Sequence, residues 1–465
     1  MDAILPRRIV PRCGFRPCGI ARRLVLPLAL AALAGGAARA HAEEGVDAGV
    51  LPAAATGAPA ASSLDWTFEW RGWDGLHMEL VQNTPLDVSM RHFRLDQLRL
   101  AGTVGARLEF DGAAFDTDGT LTGFDNGVEL RRARIKLAGD AILGVPFRYK
   151  VELGYVPGSF SLSDFYVAVP DIRLLGTLQF GQFAPSMGLQ LLTSSWDIEL
   201  MEPAATLQAL GPKTSPGFRV GQPFLDGRAT WSIGAYGSAG TGEYGSATED
   251  MTSAIARLTW LAVDGIDADA STRNHFVHLG LSGSRQQSSG GEVRYRSRPE
   301  SYVAPYVIDT GTIITDMAYT LGAELLWVDG PLTAQAEVLR SSALPSGGQQ
   351  LNFIGGYLMG TWSLTGESRG YNREGATLAR VRPARNFAFG PEGGWGAIEA
   401  ALRYSYTDLD DGNVAGGKLS MLMAGLDWTF RPELQWMINL GLGRVRGGTA
   451  DGRMVILQSR IGLNF

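Results

Sequence analysis

The chain has 465 residues, of which 45% are hydrophobic and 61 are glycine, with a mean hydropathy near zero and a net charge of −6. The acidic balance excludes the basic surface of a typical nucleic-acid-binding protein. Beyond the first 42 residues no apolar run approaches the length of a membrane-spanning helix, which excludes a helical membrane protein.

The amino-terminal residues have the pattern of a secretory signal. Several arginines precede an apolar run from Leu24 to Ala34, and the sequence ARAHA follows it. A basic region, a short apolar region and an A-x-A cleavage site predict a signal peptide over residues 1–42. Both cysteines, Cys13 and Cys18, lie within it, so the mature chain is predicted to have no disulfide, thiolate metal site or cysteine nucleophile. Its removal takes away seven arginines and one aspartate, which lowers the net charge to −12.

The next residues precede the main domain. Residues 43–63 are rich in alanine, proline and glycine without a periodic pattern, which is typical of a flexible linker. Residues 64–102 contain Trp66, Trp70 and Trp73 and are predicted to be a short N-terminal segment. The main domain is expected to begin with the strand pattern of residues 103–111.

Apolar and polar residues alternate throughout residues 127–183. Ala133, Ile135 and Leu137 share one face of a strand, opposite a basic face. The following strand repeats the arrangement with a charged face of its own. Such alternation fits a soluble sandwich with one wet face, and it also fits a membrane barrel with a polar lumen. The local pattern leaves both architectures open.

The number of alternating segments distinguishes a membrane barrel from a soluble sandwich. Sixteen follow one another along the chain: 103–111, four within 127–183, 216–224, 228–238, 251–262, 274–285, 316–328, 332–341, 351–362, 394–407, 418–430, 433–444 and 454–465. An even count places both chain ends on the periplasmic side of an outer-membrane barrel, where turns are short. The segment 64–102 then falls on that side. The tight connections fall there too: residues 170–171, 225–227, 329–331 and 431–432.

Three connections are much longer than the rest. Residues 184–215 and 286–315 fall on the outer side and residues 363–393 on the periplasmic side. Connections of this length inside a compact domain are usually functional or disordered, and a lumen can hold them. The sequence therefore predicts a 16-stranded antiparallel transmembrane β-barrel over residues 103–465, with long loops that fold inward.

The last strand ends in an aromatic residue. Apolar residues alternate up to the terminal Phe465, which resembles the signal that barrel assembly machinery recognises in outer-membrane barrels. Five tryptophans have the parity of the apolar strand faces, as expected for an interfacial girdle: Trp231, Trp260, Trp327, Trp428 and Trp436. With the signal peptide, these features favour a barrel in the outer membrane of a Gram-negative bacterium over a soluble sandwich.

Several motifs carry a family resemblance. They read, in order, LRRARIKLAG, SDFYVAV, LQFGQFAPSMGLQLLTSSWDIELMEPA, RSRPESYV, LTGESRGYN and WGAIEAALRYSYTDLDDG. Across roughly residues 95–465 the chain resembles the phosphate-selective porins O and P. The resemblance implies a homotrimeric outer-membrane porin for small anions, with phosphate or polyphosphate as substrates. It also implies that the third and fifth outer loops and a late periplasmic turn narrow the pore.

Candidate site residues come from parity and from the resemblance. Arginine forks bind phosphate oxygens in pairs, so basic side chains facing the lumen are the natural candidates. By parity these are Arg107, Arg132, Arg134, Lys136, Arg148, Lys150, Arg173 and Arg219, with Asp164 and Tyr166 on the same side. By motif, the positions that resemble the family's constriction are Arg131, Arg132, Asp164, Ser194 and Ser195. Arg131 has the wrong parity for a regular strand, so it requires a bulge or a place at the rim.

Anion preference is not the only interpretation. The family's usual Met-Glu-Arg reads Met201-Glu202-Pro203 here, which removes one cation. The mature chain also has few of the lysines that typically line the pore vestibules in this family. Nine arginines of the long connections either take their place or are solvated loop charges. A general, weakly selective or cation-preferring porin for small hydrophilic solutes therefore stays open.

Enzymatic and metal-binding functions find little support. No nucleophile motif accompanies the histidines, and His275 and His278 fall on opposite faces of one strand. The acidic segments 116–119 and 408–412 lack the full calcium-binding loop pattern. The sequence thus predicts no catalytic residue, no metal and no cofactor.

Overall fold

The computed structural model describes residues 64–71, 75–82, 86–88, 93–95, 98–156, 159–237, 247–249, 252–266, 273–345, 347–390, 393–448 and 450–465. The predicted signal peptide 1–42, the predicted linker 43–63 and Trp73 lie outside these residues. Within the described ranges, no helix has both the length and the apolarity needed to cross a membrane.

Four short strands precede the barrel: β1 (Leu64–Trp70), β2 (Leu76–Gln82), β3 (Leu86–Val88) and β4 (Phe93–Leu95). β1 and β2 form an antiparallel hairpin. β2 also pairs with the long strand β5 (Leu98–Thr117), from Leu76 opposite Val104 to Val81 opposite Arg99. The segment 64–102 therefore extends the barrel wall, which its tryptophan content alone did not indicate.

Sixteen antiparallel strands form the barrel: β5 (Leu98–Thr117), β6 (Gly127–Leu143), β7 (Val145–Val156), β8 (Ser159–Ile172), β9 (Gly176–Phe183), β10 (Ser215–Phe224), β11 (Ala229–Tyr236), β13 (Thr252–Gly265), β14 (His275–Arg294), β17 (Ile313–Asp329), β18 (Leu332–Leu344), β19 (Leu351–Ser363), β22 (Ala397–Asp411), β23 (Val414–Arg431), β24 (Leu434–Arg446) and β25 (Gly452–Asn464). Each pairs with the next in order, and β25 closes the barrel on β5, from Asn464 opposite Arg107 to Met454 opposite Thr117. The predicted sixteen-stranded antiparallel barrel is confirmed.

The connections contain the remaining short elements: β12 (Ala247–Glu249), β15 (Arg296–Ser297), β16 (Ile308–Asp309), β20 (Tyr371–Asn372), β21 (Thr377–Leu378) and two helices, α1 (Leu189–Leu192) and α2 (Ala205–Leu210).

Side-chain exposure separates the two faces of the wall. Large apolar side chains stand on the outer face, where Ile135 is 61%, Leu281 64% and Leu321 65% exposed. The inner face carries buried charged side chains such as Arg257 and Glu324. This is the reverse of a soluble sandwich and matches a barrel surrounded by lipid.

Among the predicted boundaries that differ from the structure, three have an identifiable structural cause. β14 continues to Arg294, because its pairing with β17 resumes at Gly291 after an irregularity that begins at Gln287. The outer connection that follows is therefore 295–312, shorter than the predicted 286–315. β5 begins at Leu98, ahead of the predicted start at Thr103, because β2 supplies a second pairing partner there.

The third difference concerns the turn after β8. It consists of residues 173–175, whereas the sequence placed it at residues 170–171. Pro170 and Asp171 stay in the strand, with Asp171 at a positive φ of 58° and a register shift between Val169 and Ile172. Arg173 therefore lies in the turn, and its predicted place on the lumen face of a strand is wrong.

Candidate functional site

Residues 184–214, here called the inward loop, fold into the barrel. Every residue of α2 is buried, and Thr206 hydrogen-bonds the carbonyl oxygen of Tyr406 on β22 (2.9 Å). The carboxylate of Glu337 on β18 accepts the backbone N–H groups of Leu189 (2.7 Å) and Gln190 (2.9 Å) at the start of α1. The loop is thus fixed to the β18–β22 wall, and free space remains on the opposite side.

Buried ion pairs hold the same loop, and we call them the anchor network. The carboxylate of Glu202 in the loop binds Arg131 of β6 (2.9 Å) and Arg460 of β25 (2.6 Å). Arg460 also binds Asp111 of β5 (2.7 Å) and the carbonyl oxygen of Met201 (2.6 Å). Charged groups buried this completely are stable only when paired and hydrogen-bonded, as they are here.

A second part of the anchor network joins the fifth outer connection to the barrel. Arg403 of β22 binds the carboxylate of Glu300 (2.6 Å) and the carbonyl oxygen of Glu202 (2.9 Å). Glu300 also accepts the backbone N–H of Ala205 (3.0 Å) at the start of α2. The inward loop and the connection 295–312 are therefore held together at Glu300.

A bulge places two adjacent arginines inside the barrel. The register between β5 and β6 passes from Glu109 opposite Arg132 to Phe110 opposite Leu130, so Arg131 is the extra residue. Arg131 and Arg132 are 0% and 1% exposed. Arg132 binds Glu109 (2.5 Å). The bulge that Arg131 required is present, and it directs Arg131 to Glu202 in the anchor network, away from open space.

A cavity of about 600 Å³ lies between the inward loop and the β5–β8 wall; we call it the constriction cavity. It brings together seven of the residues proposed from the sequence: Arg132, Arg134, Lys136, Lys150, Asp164, Ser194 and Ser195. It is also lined by Arg107, Glu152, Trp196, Asp197, Pro203, Arg380 and Asn464.

Arg107 occupies the junction between the wall and the inward loop. Its guanidinium donates to Ser195 Oγ (3.1 Å), Ser194 Oγ (3.5 Å) and Asn464 Oδ1 (3.2 Å). The group also lies 5.5 Å from the centre of the Trp196 ring. These partners are neutral, and the nearest carboxylate, Glu109, is 3.9 Å away. The positive charge of Arg107 is therefore only weakly neutralised.

The other cations of the cavity differ in their neighbours. Arg134 binds Glu152 (2.9 Å), and Lys150 binds Asp164 (2.5 Å) and Glu152 (3.3 Å). Lys136 on β6 lies opposite Glu152 in the strand register, is exposed and forms no ion pair with any residue that the structure describes. Lys136, Arg107 and Arg380, whose guanidinium donates to the carbonyl oxygen of Pro432, thus carry most of the positive charge in the cavity that no close carboxylate neutralises.

Two smaller cavities lie nearer the end of the barrel that holds Phe465. One, of about 290 Å³, shares Arg107, Arg134 and Lys136 with the constriction cavity and adds Arg382. The other, of about 270 Å³, is lined by the remaining predicted residues Arg148, Tyr166 and Arg219. Arg219 donates to Ser186 Oγ (2.9 Å) and Gln179 Oε1 (2.5 Å), and Arg148 is bound to Glu374.

The arginines of the long connections differ in what they contact. Arg294, Arg369 and Arg373 bind Asp309 (2.5 Å), Glu399 (2.7 Å) and Asp264 (2.7 Å) respectively. Arg285 has the parity of the outer face of β14. Arg380 and Arg382 line the cavities, whereas Arg296 and Arg298 stack on Tyr306.

Sequence reasoning missed several residues of the constriction cavity, among them Trp196 and Asp197. Trp196 and Asp197 follow the paired serines directly, within a motif that was already recognisable. Burial raises the pKa of the Asp197 carboxyl, and Arg380 and Arg107 oppose that rise in pKa. Asp197 therefore takes up a proton at a higher pH than an ordinary aspartate, in a mainly cationic cavity.

The two histidines of β14 lie on opposite faces, as the sequence predicted. His278 is buried and hydrogen-bonds the Tyr371 hydroxyl (2.7 Å), and His275 on the outer face is 3.5 Å from Asp329. Among the described residues, no group of three or more histidine, cysteine, aspartate or glutamate side chains is arranged to hold a metal ion.

Comparison with known proteins gives a family and several relatives. The sequence model of the family described as "Phosphate-selective porin O and P" matches residues 103–461. An uncharacterized protein of Caulobacter vibrioides is 28% identical over 376 residues, covering 77% of this chain and 73% of that protein. Porin O of Pseudomonas aeruginosa is 25% identical over 337 residues, covering 67% of this chain and 73% of the relative.

Solved structures resemble the barrel as a fold. An anion-selective porin from Comamonas acidovorans aligns with a TM-score of 0.48 at 14% identity, covering 78% of this chain and 99% of that chain. A loop L8 deletion mutant of OmpT, an outer membrane protein of Vibrio cholerae, aligns with a TM-score of 0.49 at 11% identity and the same coverage.

Proposed function

The chain belongs to the family of phosphate-selective porins O and P, and from that premise we propose that it passes small anions, phosphate or polyphosphate among them, through the constriction cavity. As a member of this family it is an outer-membrane porin. The proposal concerns which solutes pass and which side chains select them.

The balance of charge in the constriction cavity carries the proposal. Five basic side chains line it besides the buried Arg132: Arg107, Arg134, Lys136, Lys150 and Arg380. Three carboxylates line it: Glu152, Asp164 and Asp197. In a narrow water-filled passage, surplus positive charge raises the local concentration of anions and lowers that of cations.

The chemistry of Arg107 and its neighbours suits an oxyanion. The Arg107 guanidinium and the hydroxyl groups of Ser194 and Ser195 form a row of hydrogen-bond donors. Lys136 supplies a further charge on the same cavity wall. Conduction needs several weak sites in place of one tight site. Arg380, Arg382 and Arg219 in the neighbouring cavities offer such further contacts toward the periplasmic end.

A weakly selective or cation-preferring porin is the second candidate. One observation favours it: Glu152 and Asp164 neutralise Arg134 and Lys150. Pro203 lines the cavity at the position where the family resemblance leads us to expect an arginine. Both candidate functions require the same barrel. They differ in the sign of the net charge that a permeating ion meets in the constriction cavity.

Reversal potentials separate the two candidates. Purified protein in a planar bilayer under a potassium chloride gradient is expected to prefer chloride, with current reduced by added phosphate or pyrophosphate. The double variant Arg107→Gln with Lys136→Gln is expected to lose both effects. Arg340→Gln on the outer face is a matched control. Equal permeability of chloride and potassium in the wild type would reject the anion proposal and support the second candidate.

We also propose that the barrel forms homotrimers through the β9–β11 wall. β9 and β11 have 8 residues each, fewer than the roughly 9–11 of a strand that crosses the membrane. Phe180 on β9 and Phe218 on β10 stand exposed on the outside of this wall, next to the exposed Phe165 on β8. Phe180→Ser is expected to dissociate the oligomer in mild detergent, whereas Leu321→Ser on β17, outside this wall, is not. A monomeric wild type by mass photometry would reject the trimer.

Phe465 is proposed as the residue by which barrel assembly machinery recognises the chain. Its backbone exchanges two hydrogen bonds with Ala106 (2.6 and 2.9 Å). Phe465→Ala keeps these bonds, so refolding in detergent is expected to proceed normally while the amount of folded barrel in cells falls. Unchanged assembly in cells would argue against this role.

A further inference from the structure

Four basic side chains form a cluster on the outer face of the barrel, at the end opposite Phe465. They are Lys418 on β23, Arg444 and Arg446 at the end of β24, and Arg453 at the start of β25. We call them the rim patch. In a barrel whose termini are periplasmic, this end faces the cell exterior.

The strand register brings these like charges directly opposite one another. Arg444 pairs with Arg453, and Lys418 pairs with Arg446. Directly opposed side chains of antiparallel strands share a face with Cβ atoms about 5 Å apart, and like charges there are destabilising. Two such pairs side by side therefore favour an anion bound between them.

The rim patch points outward. Val445 and Met454 are buried on the inner face, and the three arginines that alternate with them are exposed. Leu442 and Val455 follow on the same outer face toward the middle of the barrel and are 49% and 41% exposed. The cations thus stand directly above a band of apolar side chains.

Neighbouring carboxylates do not neutralise the arginines. Asp408 is occupied by Lys418 (2.8 Å), and Asp118 accepts the backbone N–H of Arg453 (2.6 Å). Asp116 lies opposite Val455 on the adjacent β5. In the part of the chain that the structure describes, no carboxylate forms an ion pair with the side chain of Arg444, Arg446 or Arg453.

The position of the patch along the barrel matches a membrane boundary. Trp436, opposite Trp428, marks the aromatic level at the periplasmic end of β24. The step from Trp436 to Arg444 along β24 spans about 26 Å, or about 20 Å along the barrel axis at the usual strand tilt. The backbone of Arg444 therefore lies within about 5 Å of the far edge of an apolar band about 25 Å tall, so that its long side chain reaches the lipid headgroups.

We propose that the rim patch binds the phosphate groups of outer-leaflet lipid, with a phosphorylated glycolipid of the lipid A type as its occupant. Arginine forks take phosphate oxygens in pairs, and basic clusters at a membrane surface attract anionic headgroups. The apolar band below the patch accommodates the acyl chains of the same molecule. This site lies outside the lumen and is separate from the path proposed for permeating anions.

Lipid A binding to the purified, detergent-solubilised protein tests the proposal by native mass spectrometry or fluorescence titration. The triple variant Arg444→Gln, Arg446→Gln, Arg453→Gln is expected to bind bisphosphorylated lipid A at least about tenfold more weakly. A control triple, Arg99→Gln, Arg273→Gln, Arg340→Gln, makes the same charge change at arginines already held by Glu79, Asp329 and Asn352. The control is expected to bind like the wild type.

Equal affinity in the wild type and the rim-patch variant would overturn the proposal. Equal weakening in the control triple would do the same, because the response would then depend on net charge alone. Displacement of lipid A from the wild type by millimolar inorganic phosphate would assign the patch to the free anion instead. Anion selectivity in bilayers is expected to be unchanged in the rim-patch variant, so this test is independent of the porin proposal.

Discussion

The barrel interior has two sides that use the same residue types for different purposes. In the anchor network, Arg131, Arg403 and Arg460 are buried and each is bound to a carboxylate. In the constriction cavity, Arg107 contacts neutral donors and acceptors, and Lys136 is exposed. Facing the lumen therefore does not make an arginine part of an anion path. A carboxylate partner in the folded barrel neutralises the charge of an arginine that faces the lumen.

The largest expected effect comes from breaking the anchor network. Arg460→Ala leaves the buried carboxylates of Asp111 and Glu202 short of a partner. Removing one member of a buried ion pair costs about 3–5 kcal/mol, so the free energy of unfolding should fall by that amount. The inward loop should detach and single-channel conductance should rise.

Urea unfolding in detergent micelles, followed by tryptophan fluorescence, measures the loss of stability. Arg148→Ala is the control, because Arg148 and its partner Glu374 are both well exposed and an exposed pair contributes at most about 1 kcal/mol. Similar unfolding midpoints for the two variants would contradict the distinction between the two sides.

The second largest effect is expected on ion selectivity, from changes in the constriction cavity. Arg107→Gln with Lys136→Gln removes two of the cavity's cations that have no close carboxylate partner. A unit charge at 4 Å in water contributes about 1 kcal/mol, so the ratio of anion to cation permeability should fall about fivefold per charge removed. The free energy of unfolding should change little, in contrast to Arg460→Ala. A loss of stability without a change in selectivity would mean that Arg107 and Lys136 stabilise the fold, as the anchor network does, and do not select ions.

Sequence periodicity predicted the features that repeat along each strand. The strand number, the inner and outer faces and the need for a bulge at Arg131 all follow from local alternation. The partners of the anchor network do not, because Arg131 and Glu202 are 71 residues apart and Arg403 and Glu300 are 103 apart. Which arginine meets a carboxylate depends on how two long connections fold inside the lumen, and no local period records that.

The same limit applies outside the lumen. The alternation of β24 and β25 predicts that Arg444 and Arg453 face outward, but only the strand register places one opposite the other. A slip of two residues would keep both outward and separate them.

A smaller effect in the opposite direction is expected from Glu152→Gln. Glu152 binds Arg134 (2.9 Å) and Lys150 (3.3 Å), so its removal frees positive charge in the cavity. Anion preference should rise, by about threefold, because the carboxylate's charge is already shared between two cations. Reversal potentials measure the change. A fall in anion preference would indicate that Glu152 orients the two cations more than it neutralises them.

The smallest expected effect is a dependence of selectivity on pH through Asp197. Burial raises the pKa of its carboxyl, so Asp197 takes up a proton at a higher pH than an ordinary aspartate. As the pH falls through that raised pKa, the constriction cavity loses one negative charge and anion preference should rise, by less than about twofold in a water-filled passage. Asp197→Asn should have the higher preference at neutral pH and lack this step. If the step persisted in Asp197→Asn, another carboxylate of the cavity, Glu152 or Asp164, would be its source.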